Sequence, residues 1–201
     1  MQEITVDLLE DHQNFELICL PCSLYQKKND GEIVTGKKGI MFDFCERFEG
    51  LNIKIGEGIT KFGSVPYPCY TVDGSKIPTK ICGFPMTPSN MRAEDPSTIV
   101  YNRFKNRFKP FSLLPGFFLA PRSDSLEFSC IKLKEVITYY KLTKVAIPFE
   151  GFAFGEGDDR HIDRVKKILY THLDSNVYLT NPIKETIEAP VKSEVKDEDS
   201  E

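Results

Sequence analysis

The run Lys144-Val145-Ala146-Ile147-Pro148-Phe149-Glu150-Gly151-Phe152-Ala153-Phe154-Gly155-Glu156-Gly157 carries a short apolar strand into a glycine-bearing loop. Asp158 to Leu173 then repeats its apolar residues with the period of an amphipathic helix. A strand, a glycine loop and a helix N-terminus in that order suit a phosphate. Free backbone N–H groups and the helix dipole both favour an anion there. The spacing is neither G-x-G-x-x-G nor the P-loop pattern with its Lys and Ser/Thr. The plainer reading is a tight connection whose glycines only permit the turn.

A second unit of this kind lies upstream. Thr35-Gly36-Lys37-Lys38-Gly39 leads into Ile40, Met41, Phe44 and Phe48 at helical spacing, with Gly50 as the stop. Asp7, near the end of an apolar stretch, offers a hydrogen-bond acceptor or a turn cap. Asp158 and Asp159 head the last helix, where a carboxylate caps free N–H groups or points at a ligand. Cys19-Leu20-Pro21-Cys22 is formally C-x-x-C. No second pair stands at zinc-ribbon spacing, His12, His161 and His172 are scattered, and Cys19 lies in an apolar run, so neither metal nor cofactor is expected. Arg103-Phe104-Lys105-Asn106-Arg107-Phe108-Lys109-Pro110-Phe111 interleaves cations with aromatics. That pattern suits phosphate contact with base stacking, or a segment with Phe inward and Lys/Arg solvated.

These residues must be positioned by one domain. The chain has 201 residues, 40% of them hydrophobic, with 15 Phe, enough for a core. No run approaches the roughly 18 apolar residues of a membrane span. The N-terminal stretch enters a strand-like pattern with no basic region before an apolar one, so no secretory leader is expected. Six Cys then read as reduced thiols of a cytoplasmic protein. Residues 183–201 hold three Lys and seven Asp/Glu, which accounts for the net charge of -4. They lack a burial period and are expected to be a disordered acidic tail, serving solubility or docking. The neutral body 1–182 argues against strong general affinity for nucleic acid.

Strands are expected over Ile4–Leu9, Phe15–Leu20, Val65–Val72, Lys76–Phe84, Val145–Pro148 and Asn176–Leu179, with Asp73-Gly74 as a hairpin turn. Helices are expected over Gly39–Phe48, Ser125–Tyr140 and Asp158–Leu173. The helix from Ser125 would have Phe128, Ile131, Leu133, Val136, Ile137 and Tyr140 on or near one side. Alternating helices and buried strands predict an α/β sandwich with a mixed sheet. In such sheets ligands sit at the carboxyl ends of the strands.

Four pieces, in order, resemble a macro domain, closest to the branch of terminal ADP-ribose-protein glycohydrolase and the antitoxin domains that reverse DNA ADP-ribosylation. Ile4-Thr5-Val6-Asp7-Leu8-Leu9 resembles the first strand. Thr35 to Ile40 with Phe44 to Gly50 resembles the glycine loop and its helix. Ile81-Cys82-Gly83-Phe84-Pro85-Met86-Thr87 resembles the strand ending Asn-Phe-Pro-Thr-Lys. Val145 to Gly157 resembles the loop Ala-Ile-Pro-x-x-Gly-Cys-Gly-x-Gly-Gly-Leu. The match spans most of 1–182 except an apparent insertion at about 88–122. The resemblance implies a three-layer α/β/α sandwich with a mixed central sheet that binds ADP-ribose. In it Asp7 would meet the adenine amino group. Gly36, Gly39 and Ile40 would form one phosphate loop, and Gly151, Phe152, Ala153, Phe154 and Gly155 the other. Phe152 and Phe154 would flank ribose or diphosphate, or fill the core.

The departures bear on activity. The family's Lys after Phe-Pro-Thr is missing here, since Met86-Thr87-Pro88 follows Phe84-Pro85. Gly155 stands where the glycohydrolase branch has its Asp, and Ala153 replaces the second glycine of Gly-Cys-Gly. Lys80, Asp158 and Asp159 remain as weak catalytic substitutes for an ADP-ribosyl glycohydrolase or ADP-ribose 1''-phosphate phosphatase. Binding ADP-ribose or an ADP-ribosylated macromolecule therefore outranks hydrolysis. Two other readings stay open. One is a nucleic-acid-associated protein using Arg103, Lys105, Arg107 and Lys109; the other is a non-catalytic interaction protein.

Overall fold

The computed structural model describes residues 1–28, 30–73, 78–93, 98–100, 108–152 and 159–183. In chain order the elements begin with β1 (Gln2–Thr5), β2 (Leu17–Ser23), α1 (Ile40–Arg47), α2 (Leu51–Phe62), β3 (Tyr70–Val72) and β4 (Thr79–Thr87). They continue with β5 (Asn90–Arg92), β6 (Leu113–Pro115), α3 (Ser123–Tyr140), β7 (Val145–Pro148), α4 (Asp159–His172) and β8 (Val177–Asn181).

One sheet runs β1-β8-β7-β2-β4-β3, parallel throughout except at its β3 edge, so it is mixed as expected. β2 is buried at all seven positions, which is why it reads as an unbroken apolar run. Its alternation instead sorts two cores. Leu17 and Cys19 join Cys82, Phe84 and Met86 of β4 under α3 and α4. Ile18, Leu20 and Cys22 join Ile81 under α1 and α2. The result is three layers, helices covering both faces of the sheet. It also answers the C-x-x-C pattern. A spacing of three along a strand puts Cys19 and Cys22 on opposite faces, so the two cannot share a ligand.

Two helices differ from expectation. α2 goes unread in the sequence because Gly56 and Gly58 interrupt its stripe of Leu51, Ile55 and Ile59. Gly56 has a packing reason: a Cβ there would collide with the Gly31 carbonyl oxygen. In α3 the buried stripe is Leu126, Ser129, Cys130, Leu133, Val136 and Ile137. Phe128 and Ile131 lie on the outer face, 44% and 46% exposed, and the Lys132 ammonium covers the Phe128 ring at 5.7 Å.

The described residues within 88–122 form a small unit. β5 and β6 pair antiparallel, and Ala93, Ile99, Leu114 and Leu119 cluster beneath them. Gly74 of the expected hairpin turn and residues 184–201 of the expected acidic tail lie outside the described residues. Among the described residues no helix is long and apolar enough to cross a membrane.

Candidate functional site

The connection after β2 runs through α1 and α2 on one face, whereas β7 leads to α4 on the other. Where two neighbouring strands send their chains to opposite faces, a crevice opens beyond their carboxyl ends. Here that crevice is a cleft of about 610 Å³. Pro21, Cys22 and Ser23 of β2 form its floor. Thr35 to Met41 forms one wall, Glu150 and Gly151 another, and Gly116 to Leu119 a third.

The first wall is an anion-binding geometry. Gly39 precedes α1 at φ 96°, a conformation that favours glycine. The first intrahelical bond there is Asp43 N–H to Gly39 C=O at 3.0 Å, and no side chain caps the helix. The Ile40 and Met41 backbone thus opens α1 at the cleft, and Lys37 and Lys38 add two exposed cations beside it. The helix dipole and the lysines act in the same sense.

The second wall depends on close approach. A Cβ on Gly151 would lie 2.8 Å from Pro21 Cδ and 3.1 Å from Ile40 Cγ2. Gly151 therefore lets the turn after β7 press onto both β2 and α1. Glu150, exposed on the same turn, lines the cleft. Partial desolvation against the cleft wall pushes its carboxyl up from the usual range, and the negative charges of Asp43 and Asp7 add to this.

The third wall comes from the 88–122 unit. The Gly116 N–H donates to the Ser89 carbonyl at 2.9 Å, and a Cβ on Gly116 would collide with the Pro88 carbonyl. That contact turns Phe117 and Phe118 toward the cleft. Phe117 packs edge-on against Tyr25, ring centroids 5.2 Å apart.

Of the residues singled out in the sequence, Gly36, Gly39, Ile40 and Gly151 come together in this cleft. Asp7 lies at the same end of the sheet but outside the lining. Its Oδ1 accepts from the Leu9 and Glu10 N–H groups at 3.1 and 3.2 Å, so the turn-cap reading is realised. Phe152 is corrected: its ring is 2% exposed, packed between Phe84 and Phe149, and its N–H donates to Phe149 C=O at 3.1 Å. It belongs to the core and neither flanks a ligand nor offers it an N–H. Lys80 is corrected too. It pairs with Leu17 at the start of β2, the opposite end of the strands, with its ammonium 4.7 Å from the Tyr140 ring centroid. Asp159 is the first residue of α4. Ala153, Phe154, Gly155 and Asp158 lie outside the described residues, as do Arg103, Lys105 and Arg107. Lys109 is exposed.

Sequence reasoning missed Lys37, Lys38, Glu150, Phe117 and Phe118. The lysines sat in plain view inside the glycine loop. The two Phe carry no local signal, since only the long-range Gly116–Ser89 contact aims them.

A second hollow of about 460 Å³ is lined by Arg122, Asp124, His161 and Arg164 among others. Its cations are engaged within the protein. Arg122 forks onto Asp124 at 2.8 and 2.7 Å and holds that carboxyl below its usual range. Arg164 donates to the Pro121 carbonyl at 2.7 Å. Among the described residues no group of three or more His, Cys, Asp or Glu is placed to hold a metal ion.

Layers, strand order and the cleft beyond β2 and β7 define a three-layer α/β/α fold of the macrodomain kind. The chain is similar to the macrodomain of Mycobacterium tuberculosis DarG, with a TM-score of 0.54 and 17% identity, over 91% of this chain and 97% of that one. It also matches the macrodomain of Thermus aquaticus DarG at a TM-score of 0.49 and 16% identity, with the same coverage. No protein-family model and no curated protein matches the sequence.

Proposed function

We propose that the cleft binds ADP-ribose, free or attached to a macromolecule. The observation that carries this reading is the meeting of the Gly36–Ile40 loop and Gly151 in one open cleft at the carboxyl ends of the strands. The uncapped N-terminus of α1 with Lys37 and Lys38 supplies the positive side that a diphosphate needs. Phe117 supplies an aromatic wall. Asp7 serves as acceptor for the adenine amino group, as the resemblance implies. The likeness to a solved macrodomain bears on the fold, so the ligand rests on the site.

Holding outranks cutting. The segment Phe84-Pro85-Met86-Thr87 ends without a Lys, and Lys80 is at the far end of β4. Cleaving a glycosidic ADP-ribose link needs a nucleophile or a placed carboxylate. The test is calorimetric titration with ADP-ribose and with ADP. Absence of heat at millimolar ligand refutes the reading. Incubation with ADP-ribosylated protein or DNA then separates reader from eraser by release of ADP-ribose.

One observation favours a second reading. Lys109 and Phe111 stand exposed on the same unit that walls the cleft, Phe111 at φ 64° and 62% exposed. A single strand of nucleic acid could stack there. Titration with a single-stranded oligonucleotide tests it, and binding that survives Phe111→Ala and Lys109→Ala counts against it.

A further inference from the structure

The outer face of α3 keeps three large apolar side chains in solvent. Phe128, Ile131 and Tyr139 are 44%, 46% and 78% exposed, while the buried stripe of the same helix faces the sheet. Large apolar side chains gathered on one exposed face and flanked by charge mark an interaction surface. Lys132 and Glu135 stand on that face and pair at 2.8 Å. The Lys132 ammonium also lies 5.7 Å from the Phe128 ring centroid. None of these five residues lines the cleft.

The order of the groups identifies the partner. Along α3 they run ring, cation, anion, ring: Phe128, Lys132, Glu135 and Tyr139, at spacings of four, three and four. Residues three and four apart share a helix face, so the four form one row about 16 Å long. Turned end for end, the row keeps its spacings. Each ring then falls on a ring, and each charge falls on its opposite. A two-fold interface requires that kind of self-complementarity, whereas an unrelated partner would require only the apolar surface. We propose that this face recognises a second copy of the same chain, α3 packing antiparallel against α3 about an axis between positions 133 and 134. Phe128 of one copy meets Tyr139 of the other, and Lys132 of one meets Glu135 of the other. Each contact is made twice.

The charges suit the exchange of partners. Within one chain the Lys132–Glu135 pair is largely exposed and worth little by itself. Across the axis the four charges alternate in sign beside the rings, which shield them from water. Lys134, on the flank of α3, is tied to Asp174 at 3.2 Å and stays out of the row. Three apolar side chains and one charge pair per copy make a small contact. The dimer is therefore weak, with a dissociation constant of about 10–100 μM.

The experiment is sedimentation velocity of the full chain over a dilution series that brackets that range. The wild type is expected to pass from monomer to dimer. Lys132→Glu and Glu135→Lys each set like charges opposite one another twice, so each variant alone is expected to dimerise at least about tenfold more weakly. An equimolar mixture of the two variants restores opposite charges across the axis and is expected to form a heterodimer. The ion pair inside each chain stays broken in that mixture, so recovery there separates docking from any part the pair plays in the fold. A wild type that stays monomeric throughout, a dimer indifferent to both charge reversals, or a mixture that stays monomeric overturns the inference. The readout needs no ligand, so its failure is distinct from a failure to bind ADP-ribose.

Discussion

Gly151 does two jobs with one missing atom. It brings the β7 turn against Pro21 and Ile40, and it sets Glu150 at the rim of the cleft. Gly151→Ala is expected to cost about 1–3 kcal/mol in a denaturant melt, as overpacking does. The same substitution should weaken ADP-ribose binding, because the wall must back away. Asp7 also has two uses, and they separate by measurement. Asp7→Ala removes the turn cap, costing about 0.5–2 kcal/mol of stability. On the ADP-ribose reading it further lowers affinity roughly tenfold or more, the worth of a charged hydrogen bond. A loss of stability with unchanged affinity would leave Asp7 as a cap only. Phe152 shows the limit of composition. Its place in a glycine loop suggested a ligand wall, but the strand before it ends facing α3 and α4, and the ring follows that face into the core.

At the scale of elements, Glu16 joins β2 to β7 before either strand begins. Its carboxylate accepts from the Lys144 N–H at 3.0 Å and the Thr143 hydroxyl at 3.0 Å, and from the Thr143 N–H. Burial alone would raise its pKa, but these hydrogen bonds outweigh that and hold it below the ordinary Glu range. A lowered carboxylate contributes stability above its unfolded pKa and loses it as pH falls through the folded one. Glu16→Ala should therefore destabilise by about 1 kcal/mol at neutral pH, with the difference vanishing in acid. Urea melts of both proteins across that pH range measure it. Phe117 belongs to another element, the turn after β6. Phe117→Ala should open the cleft and weaken ligand binding with little change in the melt, since the ring is only partly buried.

The elements were unequally legible in the sequence. β2, β7, α3 and α4 announce themselves because burial there follows a local period. β4 proved to be an interior strand reaching Thr87, and Pro78 precedes it and costs it no ladder bond. α2 stayed hidden behind glycines chosen for a neighbouring backbone. The glycine loop at 36–40 and Gly151 were legible as halves of a site, because glycine near a helix start has few local alternatives. Glu150 was not legible, since the rise in its carboxyl comes from partial desolvation and then from Asp43 and Asp7, all set only by folding.

For the whole molecule, the acidic segment from residue 184 lies beyond β8, whose last buried residues are Leu179 and Thr180. We expect a chain ending at Ile183 to melt at the same temperature and to bind ADP-ribose unchanged; a lower melting temperature would assign the tail a structural part. The strand order carries a further consequence. β1 lies at an edge and pairs with β8 alone, Gln2 opposite Tyr178 and Thr5 opposite Asn181. Among the described strands β1 is therefore the earliest to be made, and its partner β8 is the last. The lysine-bearing loop and the Gly151 turn can assemble on β2, β4 and β7 while Asp7 still hangs on an unpaired strand. On the ADP-ribose reading, a contact from Asp7 to the base thus waits until the ribosome has delivered the stretch through Asn181.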